Sequence, residues 1–294
     1  MADTRDVSLF MPSTTSDIAI KERVMRLARK LPTSPHIFGR LGMLLGNMDA
    51  DLEDIVKLAS VDAGLTSRVI RMSNSVFFRG DMAVSTLEDA ISRVGFREVH
   101  KIVGIAMTDQ VFQSGLPVYN LTASQMWENS VVTALAMAKL ASVSAEDEGM
   151  AYTVGLLRPV GKLILDTLLQ IEQPGISCPD TITLDLPSWE HAWAGISSNE
   201  VGAMILEEWR MPESMHHSLK GHYRPDDAAG RLGALLHLAC WVARELGKGF
   251  KVEDKQWDLS EDVLQRAGLT AETVQASVPE TQEALDELKT QLKT

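Results

Sequence analysis

The sequence predicts an all-α protein built as two helical lobes. Three observations carry that expectation. Leu, Ala, Met and Val dominate a chain that is 45% hydrophobic but only 5% aromatic, a balance that suits helix-on-helix packing better than a sandwich or barrel. Apolar residues recur at three- and four-residue spacings along most of the chain, the period of one helix face. Alternation of the strand type is confined to Thr181-Ile182-Thr183-Leu184, inside a Pro-bearing loop over 171–186. A length of 294 residues fits about two domains, or one domain of two lobes.

Residues 1–16 are small and polar and read as a loose arm. The first lobe, 17–114, opens with Val24, Leu27, Ala28 and Leu31 on one helical face, stopped by Pro32. A second helix is expected over 37–45, a third from the stripe Leu52, Ile55, Val56 and Ala59, and a fourth from Leu65, Val69, Ile70 and Met72. Ser85-Thr86-Leu87-Glu88 has the form of a capping box with Ser85 as the cap. The helix it opens buries Leu87, Ile91 and Val94 and ends at Gly95. One more helix runs over about 97–112.

Gly115 to Asn120, with Pro117, marks the linker 115–121. The second lobe, 122–250, begins at another capping box, Thr122-Ala123-Ser124-Gln125. Helices follow near 146–157, 162–169, 188–195, 198–209, 212–220 and 228–246. The tail, 251–294, holds ten acids against five bases, yet Val263, Leu264, Leu269, Val274, Leu285 and Leu288 keep helical spacing. It is expected to form helices that pack on the second lobe.

Composition excludes several classes. The net charge is -12, and no Lys/Arg cluster offers the counterion release that drives nucleic-acid binding. Two cysteines, Cys178 and Cys240, do not make a disulfide framework and suit a reducing compartment. No uncharged apolar run reaches about 18 residues, and the first twenty residues do not read as a signal peptide. A cytoplasmic protein with no membrane contact and no nucleic-acid partner is expected. Gly161-Lys162 lacks the spacing and the Ser/Thr of a phosphate loop, and no serine elbow is present.

Gly155-Leu156-Leu157-Arg158-Pro159-Val160-Gly161-Lys162-Leu163 resembles the helix of HD metal-dependent phosphohydrolases, whose usual form is G-L-L-H-D-I-G-K-L. The flanking sequence resembles the HDOD family, the HD-related output domain of bacterial signalling proteins. Leu31-Pro32 and Pro35 are similar to its L-P-x-x-P, and Asp62-Ala63-Gly64-Leu65 to its D-P-x-L with alanine for proline. Arg71, Asn74-Ser75 and Phe78, then Leu87, Ala90-Ile91 and Val94-Gly95, continue the pattern. Trp127-Glu128-Asn129-Ser130 is similar to W-x-H-S, and Gly195, Glu200 to Ala203 and Trp209 to Pro212 to the G-x-x-H-x-E-V-G-A…W-x-L-P run. His222-Tyr223 stands where H-H is common. The resemblance spans roughly residues 18–245.

What the resemblance implies is a scaffold without its metal. Asn129 stands for the first His, Arg158-Pro159 for the His-Asp doublet, Ser198 for a further His, and Cys240 near the last Asp; only His222 is retained. A fixed cation at the doublet repels a metal that needs neutral imidazoles and carboxylates. No catalytic residue, metal or cofactor is therefore expected. Asn129, Arg158, Ser198, His222, Tyr223 and Cys240 are the candidate ligand or partner groove. The expected function is a non-catalytic bacterial regulatory module that binds signalling proteins in trans, since no input domain fits in the remaining residues. Arg158 is either free to pair with a partner's acid or phosphate, or engaged in a structural salt bridge.

Two other readings stand beside this one. One is a small-ligand sensor that takes a nucleotide or other anion in the vacated pocket. The other is a divergent phosphohydrolase with relocated ligands among His191, His216, His217, His222 and His237. Trp189, Trp193, Trp209, Trp241 and Trp257 are expected to pack between helices, with any exposed member an anchor for a partner. Partner identity, oligomeric state and the role of the acidic tail are not legible.

Overall fold

A computed structural model describes residues 14–31, 34–45, 56–58, 60, 63–74, 83–179 and 185–292. The fold is all-α: among the described residues there is no sheet, only an isolated bridge between Leu116 and Leu121. The first part holds α1 (Thr14–Ala28), α2 (Ser34–Leu45), α3 (Ala63–Ser73), α4 (Leu87–Val94) and α5 (Phe96–Val111). The second holds α6 (Ala123–Ser144), α7 (Glu148–Leu157), α8 (Val160–Glu172), α9 (Leu186–Ala194), α10 (Ser198–Glu208), α11 (Glu213–Gly221) and α12 (Gly230–Glu245). A 3-10 segment (Lys251–Gln256), α13 (Glu261–Ala267) and α14 (Ala271–Leu292) complete the chain.

The stripe predicted from Leu52 to Ala59 lies mostly outside the described residues, of which only 56–58 are helical. The extended piece expected at Thr181–Leu184 lies outside them too, as do 1–13 of the arm.

Cap chemistry sets the helix starts. At α6 both halves of the predicted box form: Thr122 Oγ1 accepts from the Gln125 amide and the Thr122 amide donates to Gln125 Oε1 at 2.9 Å. At α4 the expected Ser85/Glu88 box is displaced by one residue. Thr86 is the cap, in extended conformation, and its hydroxyl accepts from the Asp89 amide at 3.1 Å. Either hydroxyl has the right chemistry; burial of Leu87 as the first helical residue decides the register. α8 starts at Val160, two residues before the expected Lys162, because Pro159 tolerates the position before a first turn. Asp147 and Asp185 cap α7 and α9.

One apolar core runs through both parts, from Val24, Phe38 and Val103 to Val131, Leu165, Leu236 and Leu285. The 115–121 stretch is a tied turn. Leu116 and Leu121 exchange backbone hydrogen bonds, the Val118 amide donates to Asp166 Oδ1 at 2.8 Å, and the Cys178 amide donates to Val118 O at 2.6 Å. From the tail, α14 packs against α6, and Glu128 of α6 accepts from Lys248 and Lys289 at 2.8 and 2.6 Å. Trp189 and Trp257 are buried, whereas Trp193 is 42% exposed.

Candidate functional site

Two glycines fix the framework of the site. A Cβ on Gly155 would sit 2.7 Å from Ala134 Cα, so α7 touches the backbone of α6. A Cβ on Gly161 would collide with Ser198 O, so α8 touches the start of α10. Backbones at such range leave no room for any other residue. Arg158 and Lys162, at the end of α7 and the first turn of α8, are thereby carried inside the second part.

Six elements converge there. Arg158 Nη1 donates to both carboxylate oxygens of Glu253, at 3.0 and 3.2 Å, and its Nη2 donates to Asn129 Oδ1 at 2.7 Å. Lys162 Nζ donates to Ser198 Oγ at 3.0 Å and to Tyr223 Oη at 2.7 Å, and pairs with Glu253 Oε1 at 2.8 Å. Tyr223 in turn donates to Glu253 Oε1 at 2.7 Å. A second buried carboxylate, Glu190, accepts from Tyr119 Oη at 2.8 Å and from the Ser198 amide at 2.6 Å. Aromatic rings cover the guanidinium: Phe250 and Trp257 lie 5.1 and 5.8 Å from its carbon, and Trp257 stacks on Tyr223. Two cations and two carboxylates thus meet with their charges balanced.

All six sequence-predicted residues come together, but as a closed interior rather than a groove. Arg158 is 4% exposed and Glu253 fully buried. The expectation that Arg158 stands free for a partner is corrected: its acid is the chain's own Glu253, and the salt-bridge alternative is the one the fold realises. Cys240 packs against Tyr223 and Trp257, and burial pushes its thiol up to about 12, so it is neutral at neutral pH. His222 donates from Nδ1 to Leu219 O at 2.7 Å, while its Nε2 has no partner. Burial, reinforced by the Arg158 charge, holds that imidazole well below its usual range. Burial opposes the charge of Glu253, yet Arg158 and Lys162 outweigh it and hold the carboxyl at about 2. Burial raises Glu190, with Lys162 opposing.

The HD resemblance calls for a metal, and this donor set does not fit one. Two side-chain cations occupy the centre, and the carboxylate that a metal would need is already shared between them. The relocated histidines do not regroup: His191 pairs with Glu200 at 2.8 Å, His217 with Glu213 at 3.8 Å, and His237 has both nitrogens engaged, by His222 O and the Asp258 amide. Among the described residues no group of three or more His, Cys, Asp or Glu side chains is arranged to hold a metal ion.

Lys162, Glu190, Tyr119 and Glu253 also belong to the site, outside the six residues that the sequence predicts. Lys162 carried a signal, as the lysine retained after the degraded doublet. Glu253 carried none, one acid among ten in the tail.

Residues 31–225 match the family of the HDOD domain. The chain belongs to the HDOD family. Its fold is similar to that of a Geobacter sulfurreducens HDOD domain protein of unknown function (TM-score 0.62, 21% identity, 92% of this chain and 97% of that one). It is similar also to a Shewanella amazonensis SB2B protein provisionally named a phosphohydrolase (TM-score 0.63, 20% identity, 90% and 93%). At such identities the likeness is one of fold. A Treponema pallidum (strain Nichols) protein called only uncharacterized is 22% identical over 233 residues, 76% of this chain. The chain spans 42% of the length of that relative. Glu253 lies beyond the residues that match the HDOD domain. Among the described residues, no helix is long and apolar enough to cross a membrane.

Proposed function

We propose that this HDOD chain is a non-catalytic regulatory module of bacterial signal transduction, working in the cytoplasm by binding other proteins. The observation that carries the reading is the fate of the doublet position. Where an HD enzyme would place metal ligands, this chain places a buried guanidinium tied to Glu253 and Asn129. Such a cluster holds an interior together, its cations and its carboxylate spent on one another. Recognition then falls to the outer faces of the helices, whose net negative charge favours basic partners.

The test has two arms. Tag-free protein, purified without chelator, is analysed for metal per chain and assayed for phosphodiester hydrolysis with added manganese or nickel. Substoichiometric metal and no turnover are expected, and metal-dependent turnover above a buffer blank would overturn the non-catalytic claim. In-cell crosslinking with reciprocal capture should return a defined signalling protein. A chain that crosslinks to no protein reproducibly would overturn the interaction claim.

A further inference from the structure

Glu253 uses its cationic partners incompletely. A guanidinium offers five N–H groups in a fork that suits two-nitrogen recognition of an oxyanion. Here both carboxylate oxygens are served by the single nitrogen Nη1, Nη2 is spent on Asn129, and Nε has no partner although Arg158 is buried. Lys162 Nζ and Tyr223 Oη point at the same carboxylate. The carboxylate leaves one buried donor, Arg158 Nε, unspent, and a tetrahedral oxyanion with additional oxygens suits the full set.

The carboxylate also arrives from outside the HDOD match, on a six-residue 3-10 segment. That segment exposes Lys251, Asp254 and Lys255 to solvent and follows α12 through Gly247, which has a positive φ of 66°. It is a short strap held by Phe250, Glu253 and Trp257.

We propose that Arg158, Lys162 and Tyr223 form a binding site for the phosphate group of a small molecule, and that Glu253 fills it as an internal stand-in. The segment Lys251–Gln256 is then a plug. A ligand enters when Glu253 withdraws, which also lifts Phe250 and Trp257 off the guanidinium and alters the surface next to α12. The proposal rests on the charge cluster alone and is independent of the protein-binding reading.

The test pairs Glu253→Gln with the unmodified chain. Glutamine keeps the shape and removes the competing charge. Thermal shift is followed against inorganic phosphate, with chloride at equal ionic strength as control and adenosine monophosphate as a third arm. Phosphate is expected to raise the melting temperature of E253Q with an apparent affinity about tenfold or more tighter than for the unmodified chain, because the closed plug lowers the competent fraction. Adding Arg158→Met to E253Q should abolish the shift. In the unmodified chain, phosphate should speed amide exchange across residues 250–257. A stronger effect of the nucleotide assigns a nucleotide-borne phosphate; an equal effect assigns the free ion. A folded E253Q that responds to phosphate no more than to chloride overturns the proposal. So does phosphate binding by E253Q with exchange at 250–257 unchanged in the unmodified chain. If E253Q does not fold, the exchange measurement decides alone.

Discussion

Arg158→Ala tests whether the cation at the degraded doublet is structural. The side chain is 4% exposed and makes hydrogen bonds to Glu253 and Asn129 beneath two aromatic rings. Breaking a buried ion pair by deleting one partner costs about 3–5 kcal/mol, because a buried charge loses its compensation. Glu253 would keep Lys162 and Tyr223, at 2.8 and 2.7 Å, which argues for the lower end of that range. Against this, Asn129 Oδ1 is left without its donor and the rings lose the group they cover, a further cost of about 1–3 kcal/mol. The expected loss is about 4 kcal/mol. The control is Arg29→Ala, which breaks a pair with Glu208 whose side chains are 69% and 45% exposed and should cost less than about 1 kcal/mol. Urea unfolding followed by tryptophan fluorescence reads both at constant m-value. An Arg158→Ala chain within about 1 kcal/mol of the parent, on the scale of an exposed pair, would refute the structural role and return Arg158 to the list of contact residues.

The other predictions concern pH, packing and capping. Glu253 has a folded pKa of about 2, below its ordinary 4.5. Its stabilisation is complete above 4.5 and is lost as pH falls from there through about 2, a loss of about 3 kcal/mol; E253Q should flatten that limb of an acid titration of stability. The half-buried pair His191–Glu200 acts at both ends. Glu200 is held at about 2, burial opposing and His191 favouring its charge, so its share is lost as pH falls from 4.5 to about 2. His191 is raised, first by its hydrogen bond to Glu200, so its share is full below 6.5 and fades as pH rises through the folded value; His191→Gln should remove this alkaline limb of the stability profile. Gly161→Ala should cost about 1–3 kcal/mol or more through overpacking, since its Cβ would collide with Ser198 O; an unchanged melting curve would contradict the close approach of α8 and α10. Thr122→Ala removes the α6 cap and should cost about 1 kcal/mol in urea, while Ser85→Ala, one residue outside the α4 cap, should be silent.

Much of the fold was legible because its signals are local. A hydroxyl or carboxylate followed three residues later by an amide donor, a stripe at helical spacing and a stopping proline or glycine all act within one turn of chain. Where a start shifted, as from Ser85 to Thr86, two adjacent residues had nearly the same capping chemistry and the choice fell to burial of Leu87. The six candidate residues were legible through the family pattern, which fixes positions along the chain. It carries no information about what a replaced side chain will bind. Glu253 lies 95 residues from Arg158, and nothing in Val252-Glu253-Asp254 separates it from the exposed acids of the tail. Its selection is a tertiary event: Phe250 and Trp257 bury on either side and draw the intervening carboxylate inward.

The same contrast explains why the glycine-lysine frame persists around a replaced doublet. Gly155 and Gly161 answer to backbone contacts between α7 and α6 and between α8 and α10, and these contacts do not depend on any metal. The doublet itself answers to charge. Once Arg158 stands there, a buried cation must be compensated or its folding penalty is severe. Among the described residues the first part of the chain supplies no acid to Arg158; the tail does, through Glu253. The acidic extension is therefore an integral part of the second lobe, and deleting residues 251–294 should leave Arg158 and Lys162 sharing Glu190 as their nearest buried acid. Such a truncated chain is expected to be insoluble or molten when expressed. A truncation that melts as cooperatively as the full chain would show that the interior tolerates both cations without Glu253, and the reading of the tail as their counter-charge would fall.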